Sequence, residues 1–170
     1  MKHFITFLLV LTFVFPTFSQ EETKAETTTY YFIRHAEKDR SDKNNRNPHL
    51  TQEGFLRAAK WGLVFENVPF DAIYSTDYNR TKETAQPTAE MKGLGVKLYD
   101  PRNLYSPEFS AATKGKTVLV VGHSNTTPAF VNTILKEAKH KDIDDRNNAN
   151  LYIVTISSNG DISDVLLVIE

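Results

Sequence analysis

The chain has 170 residues, a length that suits one domain with a substantial hydrophobic core. Its composition, 40% hydrophobic and 24% charged, is that of an ordinary globular protein and excludes a fibrous or wholly disordered chain. A formal net charge of -1 provides no overall basic excess for binding nucleic acid or an anionic membrane, and the absence of cysteine excludes disulfides, thiolate metal sites and cysteine nucleophiles.

The first residues have the order of a cleaved secretory signal peptide. A basic start at Lys2 precedes an apolar run from Phe4 to Phe15, which is too short to span a bilayer comfortably, and small and then polar residues follow it. The alternative is a buried helix or an uncleaved anchor. We predict that the protein is secreted or periplasmic and has no membrane contact after cleavage. The predicted units are a signal peptide over 1–19, a flexible lead-in over 20–29 and a folded domain over 30–170.

Short apolar runs alternate with helical patterns along the rest of the chain. The predicted strands are 30–33, 72–75, 96–99, 117–121, 151–156 and 165–169, the last two joined as a hairpin at Asn159-Gly160. The predicted helices are 52–67, 80–91 and 128–136, with a short one near 107–113. This alternation predicts a three-layer α/β sandwich with a mostly parallel central sheet and an antiparallel edge.

The first predicted helix has an apolar stripe. Thr51 suits the position of an N-cap, because its hydroxyl can accept a hydrogen bond from the first turn. The stripe recurs at helical spacing, so we expect it to form the buried face of an amphipathic helix. Its members are Phe55, Leu56, Ala59, Leu63 and Val64.

Side chains able to bind an anion follow three of the predicted strands. Arg34-His35 comes directly after the first strand and Gly122-His123 after another, while Ser75 ends a third and Arg80 opens the helix behind it. Ligands of open α/β sheets bind at the carboxyl ends of the strands. If these strands are neighbours, two histidines and two arginines converge on one crevice.

These segments resemble the sequence blocks of the histidine phosphatase (phosphoglycerate mutase-like) superfamily. Arg34-His35-Ala36 resembles its Arg-His-Gly signature, with alanine in place of the usual glycine, and Ser75 to Thr84 resembles its second block. Gly122-His123-Ser124-Asn125 resembles the third block, and Leu50 to Ala58 the stretch that opens the first helix. The blocks come in the family order and extend from Tyr30 to the end of the chain.

The resemblance implies a role for each matching residue. His35 is the implied nucleophile, which forms a phosphohistidine that water then hydrolyses. Arg34 and Arg80 offer planar donors to the phosphoryl oxygens, and His123 is expected to be cationic and to donate to one of them. Ser75 and Asn125 are candidate substrate-binding residues. Ser75 could instead cap a turn, and Asn125 the helix that follows it.

The general acid that protonates the leaving oxygen is left open between two residues. Glu37 lies two positions after His35, and Glu108 lies in the segment where many relatives carry the acid. Asp142, Asp144 and Asp145 are interpreted as a solvated acidic loop rather than a metal site.

The sequence therefore predicts a metal-independent phosphohydrolase that needs no cofactor and acts on small phosphate monoesters or on phosphohistidine in a protein. The alternative from another class is a catalytically silent module that binds a phosphorylated ligand on the same fold. A mutase is disfavoured, because it must hold a diphosphorylated intermediate under a lid and residues 100–115 are too short to form one. A metal hydrolase using both histidines lacks a further ligand set near them. The substrate and the oligomeric state stay open.

Overall fold

A computed structural model describes residues 26–170, so the predicted signal peptide lies outside the described residues. Six strands form one sheet: β1 Thr28–Arg34, β2 Ala72–Ser75, β3 Val96–Leu98, β4 Thr117–Gly122, β5 Asn150–Ile156 and β6 Ile162–Val168. Their order is β3-β2-β4-β1-β5-β6, with β1 to β4 parallel and with β5 and β6 antiparallel to their neighbours. The predicted mostly parallel sheet with an antiparallel edge is confirmed.

Helices cover both faces of the sheet and complete the sandwich. They are α1 Gln52–Val64, α2 Asn79–Lys92, α3 Pro107–Thr113 and α4 Thr126–Leu135. On one face, Trp61 of α1 and Ala85 of α2 join the buried cluster that contains Ile33 of β1. On the other face, Phe130 of α4 belongs to the cluster that contains Phe32 of β1. Over the described part of the chain, no helix is both long and apolar enough to cross a membrane.

The first strand begins earlier than the sequence indicated. Thr28 is buried, and its hydroxyl accepts a hydrogen bond from the amide of Gly115 at 2.8 Å. The amide of Thr29 donates to the carbonyl of Lys116 at 2.9 Å. The last two residues of the predicted flexible lead-in therefore belong to the sheet, because their polar groups are paired with the loop that precedes β4.

The prediction of which face of α1 is buried is wrong. The helix starts where predicted, with the hydroxyl of Thr51 accepting from the amide of Gly54. However, Phe55, Leu56 and Leu63 are 49%, 64% and 66% exposed. The buried residues of the helix are instead Gly54, Ala58, Trp61 and Gly62.

Close backbone packing explains this reversal. A Cβ on Gly54 would lie 2.2 Å from the carbonyl oxygen of Glu37, and a Cβ on Gly62 would lie 2.9 Å from the sulfur of Met91. Small residues at positions 54, 58 and 62 share one helix face and let α1 approach its neighbours more closely than bulky residues would allow. The larger side chains are left on the outer face.

The register of the three central strands positions the candidate site. Arg34 of β1 pairs with Gly122 of β4, and Ser75 of β2 pairs with Val121 of the same strand. The amide of His35 continues the ladder by donating to the carbonyl of Gly122 at 2.9 Å. Because β2, β4 and β1 are adjacent and parallel, the residues that follow them meet at one edge of the sheet.

Candidate active site

A cavity of about 340 Å³ opens at this edge of the sheet. It contains all four of the histidines and arginines that the sequence singled out, together with residues from the loops around them. The lining residues are Arg34, His35, Lys38, Tyr78, Arg80, Pro101, His123, Ser124, Asn125, Thr126 and Asp145. The predicted convergence of the three strand ends is therefore observed, and the imidazole centres of His35 and His123 lie 5.5 Å apart.

The imidazole of His35 is fixed through one ring nitrogen. Its Nδ1 lies 2.7 Å from the carbonyl oxygen of Ala36, and since a carbonyl only accepts, Nδ1 carries the proton. In the neutral ring, Nε2 then keeps its lone pair. Burial, and the positive charges of Arg34 and Arg80, lower the pKa of His35 to about 3, so the ring is neutral at physiological pH. The arrangement provides an oriented nucleophilic nitrogen.

The backbone around His35 is also held in place. Asn148 donates from its side-chain amide to the carbonyl of His35 at 2.7 Å. The amide of Ala36 donates to the hydroxyl of Thr84 on α2 at 2.9 Å. These bonds tie the residue after β1 to two other segments, so the ring is oriented by the fold and not by its own rotamer preference alone.

The second histidine contacts Thr76, the residue after the predicted Ser75. His123 Nε2 lies 2.9 Å from the hydroxyl of Thr76, which itself donates to the hydroxyl of Thr81. On the other side of the ring, Nδ1 lies 3.4 Å from a terminal nitrogen of Arg80. A guanidinium only donates, so Nδ1 accepts and Nε2 carries the proton toward Thr76.

This tautomer contradicts the expectation of a cationic His123. Burial, followed by the positive charges of Arg80, Lys38 and Arg34, lowers the pKa of His123 to about 4. Without an anion in the cavity, the ring is therefore neutral at pH 7. The sequence does not report how deeply the ring is buried, and burial is the largest cause of this shift.

Tyr78 is a pocket residue that the sequence analysis missed. The guanidinium carbon of Arg80 lies 4.5 Å from the centre of the Tyr78 ring, and the same ring meets His123 edge-on at 5.0 Å. A cation over an aromatic face is attracted by the ring quadrupole. Tyr78 therefore packs against two of the polar side chains of the pocket and restricts their orientation.

Both arginines keep buried donors that have no partner among the described residues. These are Nε and Nη1 of Arg80 and Nε of Arg34. Arg80 is 9% exposed and Arg34 only 2%. An unpaired donor on a buried cation is costly. Both arginines line the cavity, and their positive charge favours an oxyanion there.

The other donors of Arg34 are used by the loop before β5. Nη1 donates to the carbonyls of Asp144, Asp145 and Asn147 at 2.9 to 3.0 Å. Nη2 donates to the carboxylate of Asp145 at 2.8 Å. The side chain of Asp145 is 64% exposed, in agreement with the prediction of a solvated acidic loop, although its carboxylate also pairs with Arg34 and Arg40.

The two candidate substrate-binding residues differ in their placement. The hydroxyl of Ser75 is fully buried and donates to the carbonyl of Thr76, so Ser75 supports the turn and does not line the cavity. Asn125 does line the cavity. It also occupies the N-cap position of α4, but its side chain makes no capping hydrogen bond.

Neither candidate acid reaches the cavity in this arrangement. The carboxylate of Glu37 pairs with Arg57 of α1 at 2.6 Å. Glu108 is exposed in the first turn of α3. Neither residue lines the cavity that contains both histidines. Among the residues that do line it, Asp145 has the only carboxylate, and two arginines already hold that group.

Comparison with known proteins relates part of this chain to the histidine phosphatases. The family model of the histidine phosphatase superfamily (branch 1) matches residues 30–101, which include Arg34, His35 and Arg80 but not His123. None of the curated proteins matches the chain.

Solved structures share the fold at low sequence identity. A mycobacterial glucosyl-3-phosphoglycerate phosphatase matches with a TM-score of 0.63 and 16% identity, over 84% of this chain and 98% of that one. A phosphoglycerate mutase from Bacillus anthracis matches with 0.63 and 16%, over 86% and 95%. A protein named for a phosphohistidine phosphatase, SixA of Agrobacterium tumefaciens, matches with 0.56 and 20%, over 75% and 90%.

Proposed function

We propose that this protein is a phosphohydrolase that cleaves phosphate monoesters or phosphohistidine through a covalent phosphohistidine on His35. The observation that carries the proposal is the lone pair of His35 Nε2 beside a cavity with unpaired, buried arginine donors. A nucleophile and a preorganised cationic site are the two parts that phosphoryl transfer requires. The match of residues 30–101 to the histidine phosphatase superfamily agrees with this activity.

The first step transfers the phosphoryl group to the protein. His35 Nε2 forms a bond to phosphorus as the bond between phosphorus and the leaving oxygen or nitrogen breaks. The leaving atom keeps the electron pair of that bond, and a leaving oxygen takes its proton from solvent water. The equatorial oxygens gain negative charge, and the free N–H groups of Arg80 and Arg34 stabilise them. The ring nitrogen that attacks becomes positively charged, while Nδ1–H remains bonded to the carbonyl of Ala36.

The second step releases inorganic phosphate. A water oxygen forms a bond to phosphorus, the bond between nitrogen and phosphorus breaks, and the proton of the water passes to solvent. His35 returns to the neutral form, in which burial holds its pKa low. The arginines and Lys38 supply positive charge throughout both steps, so the proposed reaction requires no metal ion.

A turnover screen tests the proposal against the silent binding module. The purified protein is assayed in EDTA on nitrophenyl phosphate, alkyl phosphates and a phosphohistidine peptide, and vanadate binding is measured in parallel. We expect turnover that EDTA leaves unchanged and vanadate inhibits. Vanadate binding without turnover of any substrate would favour the binding module. Activity that chelation abolishes and a divalent ion restores would favour a metal hydrolase.

A further inference from the structure

The last strand of the sheet has a free outer edge. Among residues 26–170, β6 pairs only with β5, through seven consecutive residue pairs and without a bulge. Edge strands are commonly protected from further pairing by lysine, proline or a bulge. Ile162–Val168 contains no lysine, arginine or proline. This edge therefore lacks the features that normally prevent a sheet from pairing with another strand.

Both faces of β6 expose apolar side chains. Val165 pairs with Ile153 and lies on the face of the sheet that α1 and α2 cover. Leu166 pairs with Tyr152 and lies on the face that α4 covers. A contiguous apolar patch on a protein surface marks a site of interaction. The side chains that are 36% to 58% exposed are Ile162, Val165, Leu166, Leu167 and Val168.

The outward stripe of α1 borders this strand. Lys60 of α1 donates to the carbonyl of Glu170, which lies two residues after β6. Leu56 and Leu63 lie within about one turn of Lys60 on the helix surface, and both are mostly exposed. The apolar surface therefore continues from β6 onto the helix face that the sequence analysis had assigned to the core.

The backbone groups on the free edge can be assigned from hydrogen bonds at the two ends of the hairpin. The amide of Ile169 donates to the carbonyl of Ala149 at 2.8 Å, and Ser157 donates to Asp161 in the same way at 2.9 Å. Hydrogen-bonded pairs alternate along an antiparallel ladder, so the odd-numbered residues of β6 direct their backbone groups toward β5. The even-numbered residues direct theirs outward. They are Ile162, Asp164, Leu166 and Val168.

This alternation allows β6 to pair with a second copy of itself. In an antiparallel pair centred on Val165, Ile162 of one copy lies opposite Val168 of the other, and Asp164 lies opposite Leu166. All of these residues direct their backbone groups outward, so each opposed pair can exchange two hydrogen bonds. The arrangement uses all seven residues of the strand. The free edge is therefore complementary to itself and requires no other sequence.

The charges of β6 are compatible with such a pair. The only charged residue of the strand is Asp164, and its carboxylate lies 2.6 Å from the ammonium of Lys139 and 2.8 Å from Nε2 of His140. The charge is thus paired within its own chain. Asp161 and Glu170 lie just outside the strand, at the rim of the paired strands, where solvent screens them. No like charges face each other across the centre of the pair.

We propose that two copies of this chain associate through β6, antiparallel about a two-fold axis at Val165, so that their two sheets become one continuous sheet. A second copy is the occupant that the strand itself specifies, because the outward backbone groups and the apolar side chains each meet their own equivalents. An interface of this kind is isologous, which is the commonest arrangement in protein dimers. It also covers part of the outward stripe of α1.

Sedimentation equilibrium of the purified protein tests this inference, and we expect a mass twice that of one chain at micromolar concentrations. Val165→Lys places two ammonium groups opposite each other and should raise the dissociation constant of the dimer about a hundredfold or more. Val165→Glu should do the same. A mixture of the two variants should restore a dimer, because residue 165 faces its own equivalent across the axis.

Leu98→Lys is the matched control. Leu98 is 55% exposed and belongs to β3, at the opposite edge of the sheet, so this variant should remain dimeric. Circular dichroism establishes that each variant is folded. Hydrogen exchange of wild type provides a measurement that needs no variant, since the amides of Ile162, Leu166 and Val168 should exchange more slowly as the protein concentration rises.

A wild type that has the mass of one chain at every concentration would overturn the proposal. Slow exchange of the outward amides of β6 in such a monomer would assign the edge to residues that precede Glu26. A dimer that both Val165 variants leave intact would also overturn it. A dimer that only Leu98→Lys dissociates would place the interface at the β3 edge instead.

Discussion

The ring of His123 lies 2.9 Å from the hydroxyl of Thr76, although the sequence pattern drew attention to the neighbouring Ser75. Alternation along β2 explains the difference. Tyr74 belongs to one core cluster and Ile73 to the other. Ser75, at the end of the strand, lies on the same face as Ile73 and is completely buried. Thr76 begins the loop and, although buried itself, contacts the ring of His123.

Thr76→Val should lower kcat/KM about five- to a hundredfold, because it removes the one acceptor that residues 26–170 provide for His123 Nε2–H and leaves a buried donor unpaired. Thr76→Ser restores the hydroxyl and should recover most of the rate. Ser75→Ala removes only a bond to the carbonyl of Thr76 and should change kcat/KM much less. Steady-state kinetics of the three variants decide the matter. A larger loss in Ser75→Ala than in Thr76→Val would show that the assignment is reversed.

Arg80→Lys should weaken vanadate inhibition by about tenfold or more. The substitution keeps the charge but loses the planar set of donors, of which Nε and Nη1 are buried and unpaired in the free protein. Urea unfolding should show no comparable loss of stability, since those donors contribute no bond within the described structure. Arg102→Lys is the control, because Arg102 is exposed and pairs with Asp100. An unchanged inhibition constant in Arg80→Lys would contradict the anion site.

The two neutral histidines should make stability depend on pH. In the unfolded chain, each ring binds a proton below its ordinary pKa of about 6.5, whereas the folded pKa is about 3 for His35 and about 4 for His123. The unfolded state therefore binds more protons as pH falls below about 6.5, and the free energy of unfolding decreases. Each ring contributes up to about 1.4 kcal/mol per pH unit in this window.

Urea unfolding between about pH 7 and pH 4.5 measures this effect, above the range in which most carboxylates titrate. The double variant His35→Gln/His123→Gln should show a flatter profile than wild type. A wild-type profile that is level across the window would mean that the rings are not held neutral. Saturating phosphate should also raise the pKa of His123, and calorimetry in buffers of different ionisation enthalpy would then detect proton uptake on binding.

The placement of Glu37 and Glu108 leads to a prediction about leaving groups. Because neither carboxylate lines the catalytic cavity, Glu37→Gln and Glu108→Gln should not selectively slow the hydrolysis of alkyl phosphates. Wild type should already prefer nitrophenyl phosphate or a phosphohistidine peptide, whose leaving groups need little protonation. Rates on an alkyl and an aryl ester, compared across both variants, provide the check. A selective loss on the alkyl ester in either variant would identify that glutamate as the acid.

Much of the fold and part of the site could be predicted from local patterns. The apolar runs of β1 and β4 define where Arg34, His35 and His123 emerge, and the parallel order of neighbouring strands brings them together. Local patterns do not report close backbone approach, so the outward stripe of α1 was assigned to the core. The same limit explains why the ion pair between Arg34 and Asp145, which are far apart in sequence, was not predicted.

Covalent labelling tests the central claim, which is that His35 forms the phosphoryl intermediate. The protein is mixed rapidly with phosphorus-labelled substrate, quenched and digested, and the labelled peptide is identified by mass spectrometry. We predict one label that is stable in base and labile in acid, on the peptide that contains His35, and its absence in His35→Ala. The variant should retain the wild-type circular dichroism spectrum. Label on another residue, or label that survives in His35→Ala, would contradict the account.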